Sequence, residues 1–239
     1  MSRLVALIRR ELGVYFVSPL AYITLTALLL ISAVAFYGSV KGAVAARAPG
    51  DFQGPLFAVV MVVIFSSPLV TMRLLAEEKS KGTIEILLTA PVTEAQVVLS
   101  KFLATIALLV FLLAPTFGYA LILARYGSVD FGQVFCGYLG VLLLGGALYS
   151  LGIFVSSLCS SQITAGLITF AVVILLLIAN IVPVENPTLR QLQEFLNLGN
   201  NLGDFIKGVV DSSRLVFLLS ISGFFLFLAT RILETRRWR

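Results

Sequence analysis

Side chains that take up protons, hold metals or attack carbonyls are scarce in this chain of 239 residues. It has no histidine, which removes any Ser-His-Asp or Cys-His set. The two cysteines, Cys136 and Cys159, lie within or at the end of one apolar segment and form no metal-ligand spacing. Neither a zinc or haem site nor a structural disulfide is expected from them. No Gly-x-x-x-x-Gly-Lys-Ser/Thr stretch occurs, so nothing is expected to cradle nucleotide phosphates. The chain is expected to be non-catalytic and to hold no metal or cofactor of its own.

The charged residues gather instead between Arg73 and Lys101, in the run Glu77-Glu78-Lys79-Ser80-Lys81-Gly82-Thr83-Ile84-Glu85-Ile86-Leu87-Leu88-Thr89-Ala90-Pro91. Glu77 with Lys81, and Lys81 with Glu85, are spaced four apart, as helical ion pairs require. Gly82-Thr83 permits a break and a new cap, with Glu85 near the positive end of the next helix. Ile84, Leu87 and Leu88 give that short helix a small apolar face, and Pro91 stops it. Thr93 with Gln96 forms a capping box for the helix that follows. The segment therefore reads as a short surface helix with an apolar patch, where a solvated linker would need none.

The elements that hold this segment are set by composition. Apolar residues make up 59% of the chain and charged residues 12%, against about 25% charged in ordinary soluble domains. The mean hydropathy is +1.04, so lipid is the solvent over most of the chain. Uncharged stretches predict six membrane spans, at about 20–40, 55–72, 102–124, 131–158, 162–182 and 215–230. The polar break Cys159-Ser160-Ser161-Gln162 separates the fourth from the fifth. The uncharged run from Val14 to Val40 is longer than the roughly 7–15 residues of a signal-peptide core, so the first helix is expected to stay.

Eleven of the 17 lysines and arginines fall on one side of this layout, in the N-terminal segment, the loop 73–101 and the tail. The positive-inside bias then makes both termini and the loop cytoplasmic. This distribution also explains the net charge of +5 without nucleic acid. Residues 1–18 are not a span. Leu4, Leu7, Ile8, Leu12 and Tyr15 form a helical stripe, with Arg3, Arg9, Arg10 and Glu11 mostly away from it. An interfacial helix turning into the membrane at Ser18-Pro19 is expected. The predicted spans contain no Asp, Glu, Lys, Arg or His. Ion-coupled transporters place such groups at membrane depth, so a self-powered transporter is disfavoured.

The run from Glu77 to Val92, followed by Lys101, resembles the coupling-helix signature of ABC-2 type transporter permeases. It is most similar to the small permeases of the gliding-motility and nitrous-oxide-reductase-maturation branch. The C-terminal pattern agrees: Asp204-Phe205-x-x-Gly208-Val209-Val210-Asp211, an apolar span, then Glu234 to Trp238. The aspartate at 204 departs from relatives, which often have histidine there. The resemblance implies a single transmembrane domain over 1–239, paired with a second copy or a paralogue. It also implies a bacterial inner-membrane location, an exporter role, and cytoplasmic ATPases that carry ATP and magnesium and grip the loop. Glu77, Glu78, Gly82, Thr83, Glu85, Leu87, Leu88 and Pro91 would form or position that contact. A rival role passes ATPase work mechanically to a periplasmic partner, such as an auxiliary subunit with a large outer domain; a passive structural subunit is a third.

Other residues have two readings each. Pro68 and Pro115, in the spans flanking the loop, are hinges or simply prolines compensated by Ser66, Ser67 or Thr116. Thr24, Thr26, Ser32, Ser66, Ser67, Thr164, Thr169 and Asn180 lie at depth and either line a path or bond between helices. Gly137, Gly140, Gly145, Gly146, Ser150 and Gly152 allow close packing within the bundle or, second, a dimer contact. The outer segment 183–214 predicts two short helices, the first capped by Thr188 with Gln191, the second presenting Phe205, Ile206, Val209 and Val210, with Gly199-Asn200-Asn201 as the break. The expected fold is thus all-α and membrane-integral, with an interfacial helix, a cytoplasmic coupling helix and an outer helical hairpin around six spans.

Overall fold

The computed structural model describes residues 3–46, 52–83, 92–126, 130–178 and 198–237. In chain order the helices are α1 (Arg3–Val17), α2 (Pro19–Ala46), α3 (Gln53–Thr71), α4 (Ala76–Ser80), α5 (Glu94–Leu113), a 3-10 turn (Ala114–Thr116), α6 (Phe117–Tyr126), α7 (Phe131–Leu158), α8 (Gln162–Ile178), α9 (Leu198–Ile206) and α10 (Ser212–Arg237). No strand occurs among the described residues. Five helical stretches are long and apolar enough to cross a membrane: Ala21–Ala45, Gln53–Ser80, Glu94–Arg125, Phe131–Leu158 and Ser212–Thr235. The sixth apolar helix, Gln162–Ile178, is shorter, and the remainder of its expected span, to residue 182, lies outside the described residues.

Local chemistry sets the helix starts. The α1–α2 joint is a bend at Ser18, and Pro19 opens α2 where its missing N–H would be unpaired anyway. Thr93 and Gln96 form the expected reciprocal capping box at the start of α5. Asp130 Oδ1 accepts from Gly132 N at 2.8 Å to begin α7, and Asp211 Oδ1 accepts from Ser213 N at 2.9 Å to begin α10.

Helix α7 is the axis of the bundle and packs against α3, α5, α8, α9 and α10. Its glycines are used for internal contact. A Cβ at Gly137 would stand 2.3 Å from Leu56 Cδ2, at Gly145 2.4 Å from Leu109 Cδ2, and at Gly152 2.1 Å from Thr71 Oγ1. Glycine there lets α3 and α5 lie against the α7 backbone. Helix α2 sits at the edge and buries one stripe, Ala21, Thr24, Leu28 and Ser32, at helical spacing.

The two prolines behave differently. Pro68 sits inside an unbroken α3. Ser67 Oγ donates to Ile64 O at 2.8 Å, the carbonyl that Pro68 cannot reach. Pro115 instead lies in the 3-10 turn that interrupts the third long helix, where Thr116 Oγ1 donates to Leu113 O at 2.7 Å.

The third long helix starts at Glu94, where the capping box places it, and Lys101 stays helical and buried because it finds carboxylate partners. One boundary differs from the sequence reading. Residues 199–201 lie inside α9, not in a break. Gly-Asn-Asn is a weak helix former, but Leu202 and Phe205 on α9 are buried, with Phe205 meeting α7 at Gly140, and packing overrides propensity. Val209 and Val210 are exposed instead of joining that patch. The first outer helix expected after Thr188 lies outside the described residues.

Candidate functional site

Helix α1 lies along α5, and its buried stripe contains one residue the hydropathy pattern sets aside. Leu4, Leu7, Ile8 and Leu12 are half-buried and Tyr15 is buried, but so is Glu11, between them. Glu11 faces Lys101, which is 1% exposed. A buried ammonium is tolerable only with paired charges around it, and Lys101 has two: Nζ lies 3.1 Å from Glu11 Oε1 and 2.9 Å from Glu78 Oε1. Arg10 Nη2 closes the circuit at 2.9 Å from Glu11 Oε1 and 2.8 Å from Glu78 Oε1. Two cations and two carboxylates thus alternate in a neutral ring that ties α1, α4 and α5 together.

A second clamp holds the turn between α3 and α4. Ser156 Oγ, near the end of α7, accepts from Leu75 N at 3.1 Å and Ala76 N at 3.0 Å, and donates to Met72 O at 3.3 Å. Lys79 Nζ donates to the carbonyl of Ser157. Beyond α4 the chain turns at Gly82, whose φ of 69° is the left-handed conformation that glycine adopts without a Cβ clash. Thr83 Oγ1 donates back to Glu78 O at 3.2 Å. Glu77 pairs with Lys81 at 2.7 Å, the expected pair on an exposed helix face.

Between α1 and this turn lies a cavity of about 330 Å³, lined by Arg10, Glu11, Tyr15, Arg73, Glu77, Glu78, Thr83 and Lys101 among others. Tyr15 donates to Val70 O at 3.3 Å. Burial, with the Glu11 charge adding to it, holds its phenol well above the ordinary value of 10.0, while Arg73 works against the shift. Among the described residues no group of His, Cys, Asp and Glu could hold a metal ion. What the site can do is mechanical: the polar groups cross-brace one loop onto α1, α5 and α7.

Of the residues singled out from sequence, Glu77, Glu78, Gly82 and Thr83 come together here. Glu85, Leu87, Leu88 and Pro91 lie outside the described residues, as does Asn180. Thr24, Ser66, Ser67 and Thr169 are buried in the bundle, and Thr164 is exposed. Ser66, Ser67 and Thr169 donate to carbonyls three or four residues back in their own helices. Arg10, Glu11 and Ser156 were missed as members of the site. For Glu11 a signal existed: it stands three residues after Ile8 and four before Tyr15, on the stripe itself. Asp204, the departure noted above, pairs with Arg214 at 2.8 Å and ties α9 to α10.

Helices of membrane length, several of them, define a multi-pass membrane protein, with a braced loop between the second and third. The sequence matches the model of the ABC-2 family transporter proteins over residues 16–229, and the chain belongs to that family. It is a transmembrane subunit of the ABC transporter class. It is similar to the proteins named "Probable multidrug ABC transporter permease YbhR" from Escherichia coli strain K12 and Escherichia coli O157:H7, with 29% identity to each over 154 residues. The match covers 63% of this chain and 41% of each relative, so the chain spans under half the length of those proteins.

Proposed function

We propose that this chain is the membrane-spanning half of an ATP-driven exporter in a bacterial inner membrane, with hydrolysis carried out by a separate ATPase that engages the loop after α3. The observation that carries the reading is the Arg10–Glu11–Lys101–Glu78 ring. An element that receives force must be stiff where it is pushed and joined to what must move. The ring joins the loop to α1 and α5, and Ser156 joins it to α7. In this arrangement α8 is the fifth of six spans, both termini are cytoplasmic, and a second copy or a paralogue completes the path.

The multidrug designation of the relatives is in keeping with a lipophilic substrate selected by shape. The charged residues of the long helices, Lys41, Glu94, Lys101, Arg125, Arg214, Arg231, Glu234, Arg236 and Arg237, stand toward the ends of the long helical stretches. A cavity of about 200 Å³ between α7, α8 and α10 is lined by apolar side chains, including Leu148, Leu151, Leu176, Phe217 and Phe225.

The test is mild detergent purification of the tagged chain from native membranes, with mass spectrometry of what stays bound. An ATPase with a phosphate-binding loop is expected in near-equal amount, and Glu85→Arg is expected to reduce it while leaving the spans folded. Absence of any ATPase under several mild conditions would overturn the reading. A bound ATPase together with a large periplasmic subunit, and no efflux of lipophilic substrate from vesicles, would replace export with mechanical transmission.

A further inference from the structure

Among the described residues that line the 330 Å³ cavity, the charges do not cancel. Glu11 and Glu78 are matched by Arg10 and Lys101, and Glu77 by Lys81. Arg73 is left over. Its Nη1 donates to Ser18 Oγ at 2.9 Å, and its Nε is buried with no acceptor. Among the described residues no carboxylate stands within ion-pair distance of it. A second polar atom, on another residue that lines the cavity, also lacks a partner: Glu78 Oε2 is buried and receives no hydrogen bond. Leaving a buried N–H and a buried carboxylate oxygen unpaired is unfavourable, and both belong to residues that line the same cavity.

The position of the cavity narrows what could fill it. Arg73 lies two residues beyond the last residue of α3, and Ser18 lies between α1 and α2. Both mark the end of a long apolar helix, the level at which phospholipid phosphates sit. On α1 beside it, Val14 is 62% and Val17 86% exposed. Exposed apolar side chains next to a charge at this level suit acyl chains better than water.

We infer that this cavity binds the headgroup of a membrane phospholipid. With a small shift of both side chains, a phosphodiester oxygen accepts from the Arg73 guanidinium, the headgroup hydroxyl or ammonium donates to the Glu78 carboxylate, and the acyl chains run past Val14 and Val17. The negative charge of the phosphodiester faces the one cation left without a carboxylate among the described lining residues. The site stands whether or not the loop engages an ATPase.

Native mass spectrometry of the full chain in detergent tests it, with phosphatidylglycerol or phosphatidylethanolamine added against diacylglycerol, which lacks the phosphate. One phospholipid should stay bound per chain and diacylglycerol should not. Arg73→Gln should weaken retention about tenfold, the worth of one charge-assisted hydrogen bond, and Arg73→Lys by less. Arg125→Gln, at the other end of the third long helix, should change nothing. Retention by Arg73→Gln equal to the unaltered chain, or equal retention of diacylglycerol, would overturn the site. Displacement by soluble glycerol 3-phosphate at the lipid's own concentration would make it a soluble-anion site, which also overturns the proposal. If Arg73→Gln does not fold, the phospholipid, diacylglycerol and glycerol 3-phosphate arms on the unaltered chain still decide.

Discussion

At Lys101 a buried ammonium faces two carboxylates, and Arg10 faces the same two from the solvent side. Lys101→Met leaves both carboxylates with one arginine between them. Breaking a buried pair from one side costs about 3–5 kcal/mol, and the remaining arginine puts the expected loss at the low end, read as a lower unfolding temperature in detergent. Adding Glu11→Gln to Lys101→Met restores charge balance and should recover part of the loss; a double variant no better than the single one would show that the ring is not the source. Tyr15 gives a pH-dependent readout. Its phenol is held well above 10.0 by burial, so above pH 10 the unfolded chain releases a proton that the folded chain keeps. Stability contributed by that group is complete below pH 10 and declines as the pH rises further. Tyr15→Phe should flatten that decline in alkaline unfolding curves while changing neutral-pH stability by about 1 kcal/mol or less.

At the scale of elements, the packing of α7 decides which glycines matter. An added methyl at Gly152 would meet Thr71 Oγ1 at 2.1 Å and Thr71 Cβ at 2.6 Å, and a β-branched side chain has little room to turn away. At Gly146 the nearest atom is Ile106 Cδ1 at 3.5 Å, an ordinary contact. Gly152→Ala should therefore destabilise by about 1–3 kcal/mol, as overpacking does, and Gly146→Ala should be neutral or slightly stabilising. Thermal unfolding of the two variants side by side checks this, and equal effects would refute the packing argument. The ring and the Ser156 clamp belong to the same scale. Each binds a short segment to long helices, so α4, only five residues long, gains its order from tertiary contacts and not from its own propensity.

For the whole molecule, the six spans proposed above, with an interfacial N-terminal helix, would place both ends of the chain on one side. A green fluorescent protein fused to the C-terminus should fluoresce, and an alkaline phosphatase fusion at the same point should be inactive, as expected for a cytoplasmic tail. The opposite pattern would mean that α8 does not cross. The helices at the edge of the bundle, α2 and α10, show lipid-length apolar faces, including Tyr22, Ile23, Leu30, Val216, Leu219 and Phe224, whereas α7 is buried along most of its length.

Sequence alone determined the class. Long uncharged stretches can be satisfied only by lipid and by helices, so the all-helical membrane architecture and most span positions follow from composition and length. The capping box at Thr93, the break at Gly82 and the Glu77–Lys81 pair were equally legible, because each rests on residues within a few positions of one another. The charged ring was not. Glu11, Glu78 and Lys101 come from three segments, with 67 residues separating Glu11 from Glu78 and 23 separating Glu78 from Lys101; their partnership exists only once α1 lies on α5. The same holds for Ser156, which reaches Leu75 across 81 positions. Local patterns record what a segment forms by itself, while a buried charge is made tolerable by partners from other elements, and those partners are chosen by the tertiary fold.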